Sequence, residues 1–435
     1  MKMVKCASRR TFLTGLAGGL TLLPLASKSL KATKFDAGTE LLGHVTDASE
    51  TWDALRHEFA FGEEKIPMNA ANLCPSPRVV ADRVSELTHD IDMDCSFNNR
   101  AKFNGLLEES RRKVADQVGA TEDEIALVRN TSEANNIVNN GLSLKAGDEI
   151  VLWDQNHTTN NIAWDVRVAR YNLEGTSNLV VKRVTTPKHP RSMEELAQVF
   201  IDALTPQTRV LALTHVSNLS GVRLPIKELC EVAHSRGIYV HVDGAQSWGA
   251  LDLNLHELGC DSFTASAHKW FMGPKEVGLL YVRADRVPGI WPNVVAPGWG
   301  DDTDPDVKGA RKFESMGQRD DSALAAIGTT ADFHKRFGSD RIEARMIEIA
   351  TALKQGLKES GFSLVTPLDP ALSGGVCIIE APADKRAEAL DRLYDEHGVF
   401  GAAAGGVRLS PHVYNTMAHV DRAIEGMRSL RSLLT

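Results

Sequence analysis

Asp243 and Lys269 each close a short apolar run, "GIYVHVD" for the acid and "DSFTASAHK" for the base. An open α/β sheet presents ligands at the carboxyl ends of its strands, where the loops gather polar groups from several elements. Asn218, after "VLALTHVS", and His157, after "EIVLWDQ", fall at the same kind of position. An isolated Asp/Lys couple is ordinarily a structural ion pair. Four polar groups of different type at four strand ends point instead to one site.

The elements that must carry these residues are legible from about Glu124 onward. Short β-branched runs ("GDEIVLW", "NLVVKRVTT", "TRVLALTHVS", "GIYVHVD", "DSFTASA", "VGLLYVR") alternate with segments such as "SMEELAQVFIDAL" and "PIKELCEVAHSRG", whose apolar residues recur at three-to-four spacing. That alternation predicts an α/β fold with a mostly parallel sheet flanked by helices. We expect a large domain over residues 66–300 and, after the Pro/Gly/Asp-rich "RVPGIWPNVVAPGWGDDTDPD", a smaller α+β domain over 301–435. Residues 33–65 form an N-terminal arm with a helix around "DASETWDALRHEF".

Composition narrows the function. The 435 residues are 43% hydrophobic and 24% charged with a net charge of −8, as in a soluble globular protein with no basic tract for nucleic acid. Six cysteines are scattered without a CxxC pair, and no His/Cys cluster has metal-ligand spacing, so neither a disulfide framework nor a metal site is expected. The first 32 residues differ from the rest. Lys2, Lys5, Arg9 and Arg10 precede an apolar run of about 15 residues. "SRRTFL" resembles a twin-arginine export motif, which predicts recognition by the translocation machinery and a periplasmic location.

"HVDGAQ…SAHKW", preceded by "THVSNLSGV", resembles the active-site signature of the class V aminotransferases, a fold-type I family that uses pyridoxal 5′-phosphate (PLP). The likeness runs from "MNAANLCPSP" to "VRLSPHVYNT" and favours the isopenicillin N epimerase-like and exported siderophore-maturation transaminase-like branch. It implies that Lys269 joins the cofactor aldehyde as a Schiff base and moves the substrate's α-proton. Asp243 is implied as partner of the pyridine nitrogen, Gln246 and Asn218 as partners of the ring hydroxyl, and His157 as the ring-stacking histidine. Thr131 and Ser132, leading into a helix, are implied as the phosphate cup together with Ser266 and His268. Arg408 is the implied carboxylate receptor, suited by its planar fork; Asn72 lies in the substrate-proximal loop. The family further implies a homodimer.

Two segments depart from the family pattern. "YDEHGVFGAAAGGVR" is short and lacks the loop cysteine of cysteine desulfurases, which removes the persulfide nucleophile. Gln318, in "ESMGQRDD", replaces the threonine that reaches the partner subunit's phosphate, so only its backbone amide could serve there. The resulting expectation is an enzyme acting at the amino group or α-carbon of an amino acid or amino-acyl peptide. Transamination comes first, epimerisation second and β-elimination third; a catalytically silent binding protein is the non-enzyme alternative.

Overall fold

The computed structural model describes residues 48–173, 175, 178–296 and 307–434, all within one compact unit, Asp47–Thr435. The export-signal expectation lies outside the described residues.

Among the described residues there are twelve strands: β1 Ile66–Pro67, β2 Ile125–Val128, β3 Glu149–Trp153, β4 Val180–Val184, β5 Thr208–Thr214, β6 Tyr239–Asp243, β7 Ser262–Ser266, β8 Gly278–Val282, β9 Cys377–Ile379, β10 Val399–Phe400, β11 Ala402–Ala403 and β12 Val407–Leu409. Seven make the central sheet, in the order β2-β8-β7-β6-β5-β3-β4. From β7 to β4 all neighbours run parallel; β8 is antiparallel to both β7 and β2. β2, β7 and β8 are buried along their whole length; β2 and β8 are apolar throughout, while β7 alternates small polar residues with Phe263 and Ala265.

Register places the site. Thr214, Asp243 and Thr264 lie side by side on β5, β6 and β7; β5 and β6 end there and β7 runs two residues further, to Ser266. Gly244 follows immediately, and a Cβ there would lie 1.8 Å from the Phe263 ring. The turn after Asp243 can therefore lie flat on β7 only as glycine. Gly278 permits the close approach of β8 to the loop before the helix Thr131–Gly141, since a Cβ would meet the Asn130 Cα at 2.8 Å.

Arg408 comes from a second, three-stranded sheet, β11-β12-β9, backed by the helices Ser339–Glu359, Arg386–His397 and Met417–Ser429. A buried cluster that includes Leu353, Leu393, Leu409, Val420 and Met427 lies between them. The segment after the Ala48–Arg56 helix joins this region, with β1 pairing in parallel with β10 and Asn69 bridging to Ser410.

Candidate active site

Asp243 is buried at the end of β6. Its Oδ1 accepts the Ala245 amide at 3.0 Å and its Oδ2 accepts from the Asn135 side chain at 2.9 Å. Lys269 follows β7; its carbonyl accepts the Met272 amide at 2.8 Å, while its ammonium makes no hydrogen bond or ion pair among the described residues. Burial pushes its ammonium down to about 8, with nearby Arg408 acting in the same direction and Asp243 opposing it. His157 is held below the usual imidazole range by burial first, then by the Lys269 and Arg408 cations, with Asp243 again opposing. Three strand-end residues thus share one electrostatic environment with Arg408.

Arg408 is 4% exposed and donates to the Asn218 backbone carbonyl at 3.1 Å. Its Nε and the Asn218 Oδ1 are buried with no partner. No carboxylate among the described residues pairs with the guanidinium. Burial lowers it to about 10, still fully charged at neutral pH. The hairpin β11–β12 that presents it is short because Gly405 adopts φ +70° and packs on residue 219; a Cβ at Gly405 would stand 2.0 Å from the Leu219 carbonyl. Three small residues, Ala404, Gly405 and Gly406, thus occupy the place where a longer loop would rise.

At the helix start Thr131–Gly141, the Thr131 amide donates to the Ser266 hydroxyl at 2.8 Å and the two hydroxyls lie 2.6 Å apart. Asn130 caps the helix by accepting the Glu133 amide. The Ser132 amide makes no bond among the described residues, leaving a first-turn donor at the positive end of the helix dipole. His268, next to Lys269, is pushed down to about 4 by burial and by Lys269.

Three expected residues are placed differently from the rest. Gln246 is buried with its amide spanning Trp270 Nε1 (2.7 Å) and the Ala71 carbonyl (3.0 Å), so a contact to a ring hydroxyl falls to its second Nε2 hydrogen. Asn72 is exposed; in the same loop Asn69, bridged to Ser410, has a buried Oδ1 with no partner. Gln318 is exposed and bonded to Arg100 and Asp321, outside the group gathered around Lys269 within this chain. Sequence reasoning missed Asn69 and Asn135. The only sequence signal for Asn135 is that a helix facing the sheet carries asparagines where its buried side should be apolar.

The family model for class V aminotransferases matches residues 75–423. Over 398 residues the chain is 31% identical to isopenicillin N epimerase of Amycolatopsis lactamdurans, covering 87% of this chain and 98% of the relative. It is 25% identical over 421 residues to a probable cysteine desulfurase of Methanothermobacter thermautotrophicus, with the same shares of 87% and 98%. Among solved structures, a mutant of C-DES with glycine covalently linked to its PLP cofactor superposes with a TM-score of 0.77 at 22% identity, covering 86% of this chain and 98% of that one. The chain belongs to the class V aminotransferase family, PLP-dependent enzymes of fold type I. Its cofactor is pyridoxal 5′-phosphate.

The residues present fit that cofactor. An unpaired lysine, a buried carboxylate, a helix start with a free amide beside paired hydroxyls, and the orphaned Asn218 Oδ1 match an aldehyde, a pyridine nitrogen, a phosphate and a ring hydroxyl. When bound, PLP supplies an electron-accepting ring that stabilises charge left on a substrate α-carbon. The protein's part would be to hold that ring between strand ends, to ease proton release from Lys269 by burial, and to orient a carboxylate on Arg408.

Proposed function

We propose that this protein acts on the amino group or α-carbon of an amino acid, or of an amino-acyl peptide with a free carboxylate, and that the reaction is transamination. The observation that carries this reading is the buried, carboxylate-free guanidinium of Arg408 acting on Lys269. A carboxylate received by Arg408 would hold the α-carbon near Lys269. A single base moving a proton along one face is what transamination requires; epimerisation requires delivery to both faces.

Epimerisation is the second reading, favoured by the 31% identity to isopenicillin N epimerase across nearly its whole length. His157, held neutral, is the group that could serve a second face. C–S bond cleavage is the third, since relatives include cysteine desulfurases. Against a persulfide mechanism, the thiols of Cys74 and Cys377 are pushed up to about 12 by burial, and the Arg408 hairpin carries no cysteine.

Incubating the holoenzyme with candidate amino acids in deuterated water distinguishes these reactions. Stoichiometric conversion of the cofactor to its amine form supports transamination. Cα label with retained amine and inverted configuration assigns epimerisation, and release of sulfide or pyruvate assigns cleavage. A protein that stays colourless with added PLP, and so develops no chromophore for borohydride to bleach, would sink the enzymatic reading and leave the binding-protein alternative.

The reading includes export and dimerisation. "SRRTFL" supports twin-arginine export, a route that moves folded, cofactor-loaded protein. Cell fractionation of wild type against an Arg9→Lys/Arg10→Lys variant tests it, and equal periplasmic amounts would refute it. Sedimentation of the purified holoenzyme tests the homodimer.

A further inference from the structure

Asp243 is held by a chain of buried polar groups that the reaction itself does not use. Asn135, 2% exposed, donates from Nδ2 to the Asp243 Oδ2 at 2.9 Å. Its Oδ1 accepts the Thr264 hydroxyl at 2.6 Å and faces His241 Nε2 at 3.0 Å. The other nitrogen of His241, Nδ1, lies 2.8 Å from the Ser262 hydroxyl. His241, Ser262 and Thr264 are each 0% exposed.

These contacts have only one consistent assignment of hydrogens. Burial without a charged partner keeps His241 neutral, so one ring nitrogen donates and the other accepts. If Ser262 donates to Nδ1, the hydrogen sits on Nε2 and points at the Asn135 Oδ1. The Thr264 hydroxyl donates to the same oxygen. The Asn135 amide group then faces the carboxylate; the flipped amide would set an oxygen against an oxygen in a dry site, which is strongly unfavourable. Orientation therefore passes from the β6–β7 ladder through His241 and Thr264 to Asn135, and from Asn135 to one carboxylate oxygen. The Ala245 amide fixes the other.

We infer that Asn135 is a positioning residue for Asp243, locked in one amide orientation by Thr264 and His241, so that the carboxylate meets the pyridine nitrogen of the cofactor in a single pose. The same groups could instead serve only to satisfy polar atoms between helix and sheet. The two roles differ in what the cofactor reports. A positioning role moves the protonation of the ring nitrogen; a packing role moves only stability.

The test uses full-length Asn135→Leu and Thr264→Val reconstituted with PLP labelled with nitrogen-15 in the ring. For N135L we expect the ring-nitrogen resonance to move toward the unprotonated position at neutral pH. PLP affinity should fall about 10- to 100-fold, the range that outer partners carry for metal ligands at comparable depth. T264V, one hydroxyl changed to a methyl, should shift both readouts the same way by less. Wild-type resonance and affinity in N135L, or a lowered melting temperature with both unchanged, would overturn the inference. If N135L does not fold, T264V decides: an unshifted resonance rejects the positioning role, and a shifted one upholds it.

Discussion

Arg408 and Asn218 meet through a main-chain carbonyl, the guanidinium donating at 3.1 Å while the Asn218 side-chain oxygen is left over. The strand end proposed to offer a side-chain oxygen to the cofactor thus also braces the proposed receptor for a substrate carboxylate. Replacing Arg408 removes both the receptor and the brace. For Arg408→Ala we expect carboxylate-bearing amino acids to bind at least about 100-fold more weakly, the scale of a desolvated charge-assisted pair. Arg408→Lys should recover only part of this, lacking the planar fork. Equilibrium titration of the bound-cofactor spectrum with substrate reads the effect. Unchanged binding would mean that the substrate presents no free carboxylate at this position.

Lys269 predicts a pH dependence for the cofactor-free protein. Its ammonium is lowered to about 8 when folded, against about 10.4 in an unfolded chain. Between those values the unfolded state binds the extra proton, so stability rises with pH across that window through this group and is reduced below it. The stability difference between wild type and Lys269→Met should therefore move in favour of wild type as pH increases from 8 to 10. Denaturant titrations at both pH values give the answer; parallel behaviour of the two proteins would contradict the shift.

The backbone just after Lys269 is fastened by two buried histidines. His412 Nε2 donates to the Trp270 carbonyl at 2.8 Å and His334 Nε2 to the Phe271 carbonyl at 2.9 Å. Burial pushes them down to about 3 and about 4. Both folded values lie below the unfolded 6.5, so stability is complete above that pH and is lost as pH falls toward 4. We expect the melting temperature to drop steeply below pH 6 and this slope to flatten in His412→Gln. The substitution should cost about 1–3 kcal/mol at pH 7.5 through the lost buried bond.

The hairpin at Gly405 predicts an effect on substrate binding at a position that touches no substrate. With φ at +70° and a Cβ 2.0 Å from the Leu219 carbonyl, Gly405→Ala must lift the hairpin off residues 218–219. KM should rise with PLP content unchanged, whereas Gly62→Ala, where a Cβ meets nothing within 4 Å, should leave both alone. Equal kinetics for the two variants would show that the hairpin's seating is unimportant.

Much of this arrangement is legible in the sequence, and the reason is burial. The six runs read as strands from Glu149 to Val282 are strands, since most of them are short, buried and rich in aliphatic residues. The helices Met193–Ile201 and Ile226–Ser235 likewise follow their spacing. "GFSLVT" also reads as a strand, but only Leu364 forms a bridge, to Ile379. Pairing depends on a partner that local pattern does not name. The helix Arg78–Met93 carries Val80, Val84, Leu87 and Ile91 at helical spacing, but it lies before the alternating segment that marks the sheet. The same limit explains the asparagines. Asn69 and Asn72 are three residues apart in one loop, and only the bridge to Ser410 distinguishes them. Asn135 reaches Asp243 across 108 positions of sequence.

The pairing of β1 with β10 sets a timetable as well as a shape. Asn415 donates to the Pro67 carbonyl at 3.1 Å across 348 positions, so the loop holding Asn69 finds its seat only when nearly the whole chain exists. At about 5–20 residues per second that is a wait of roughly 20–70 s, during which an early segment must remain unpaired. The central sheet can close sooner, since its seven strands end at Val282. The strands that carry Asp243 and precede Lys269 are thus made before the one that carries Arg408, while His334 and His412, which fasten the backbone after Lys269, also come later.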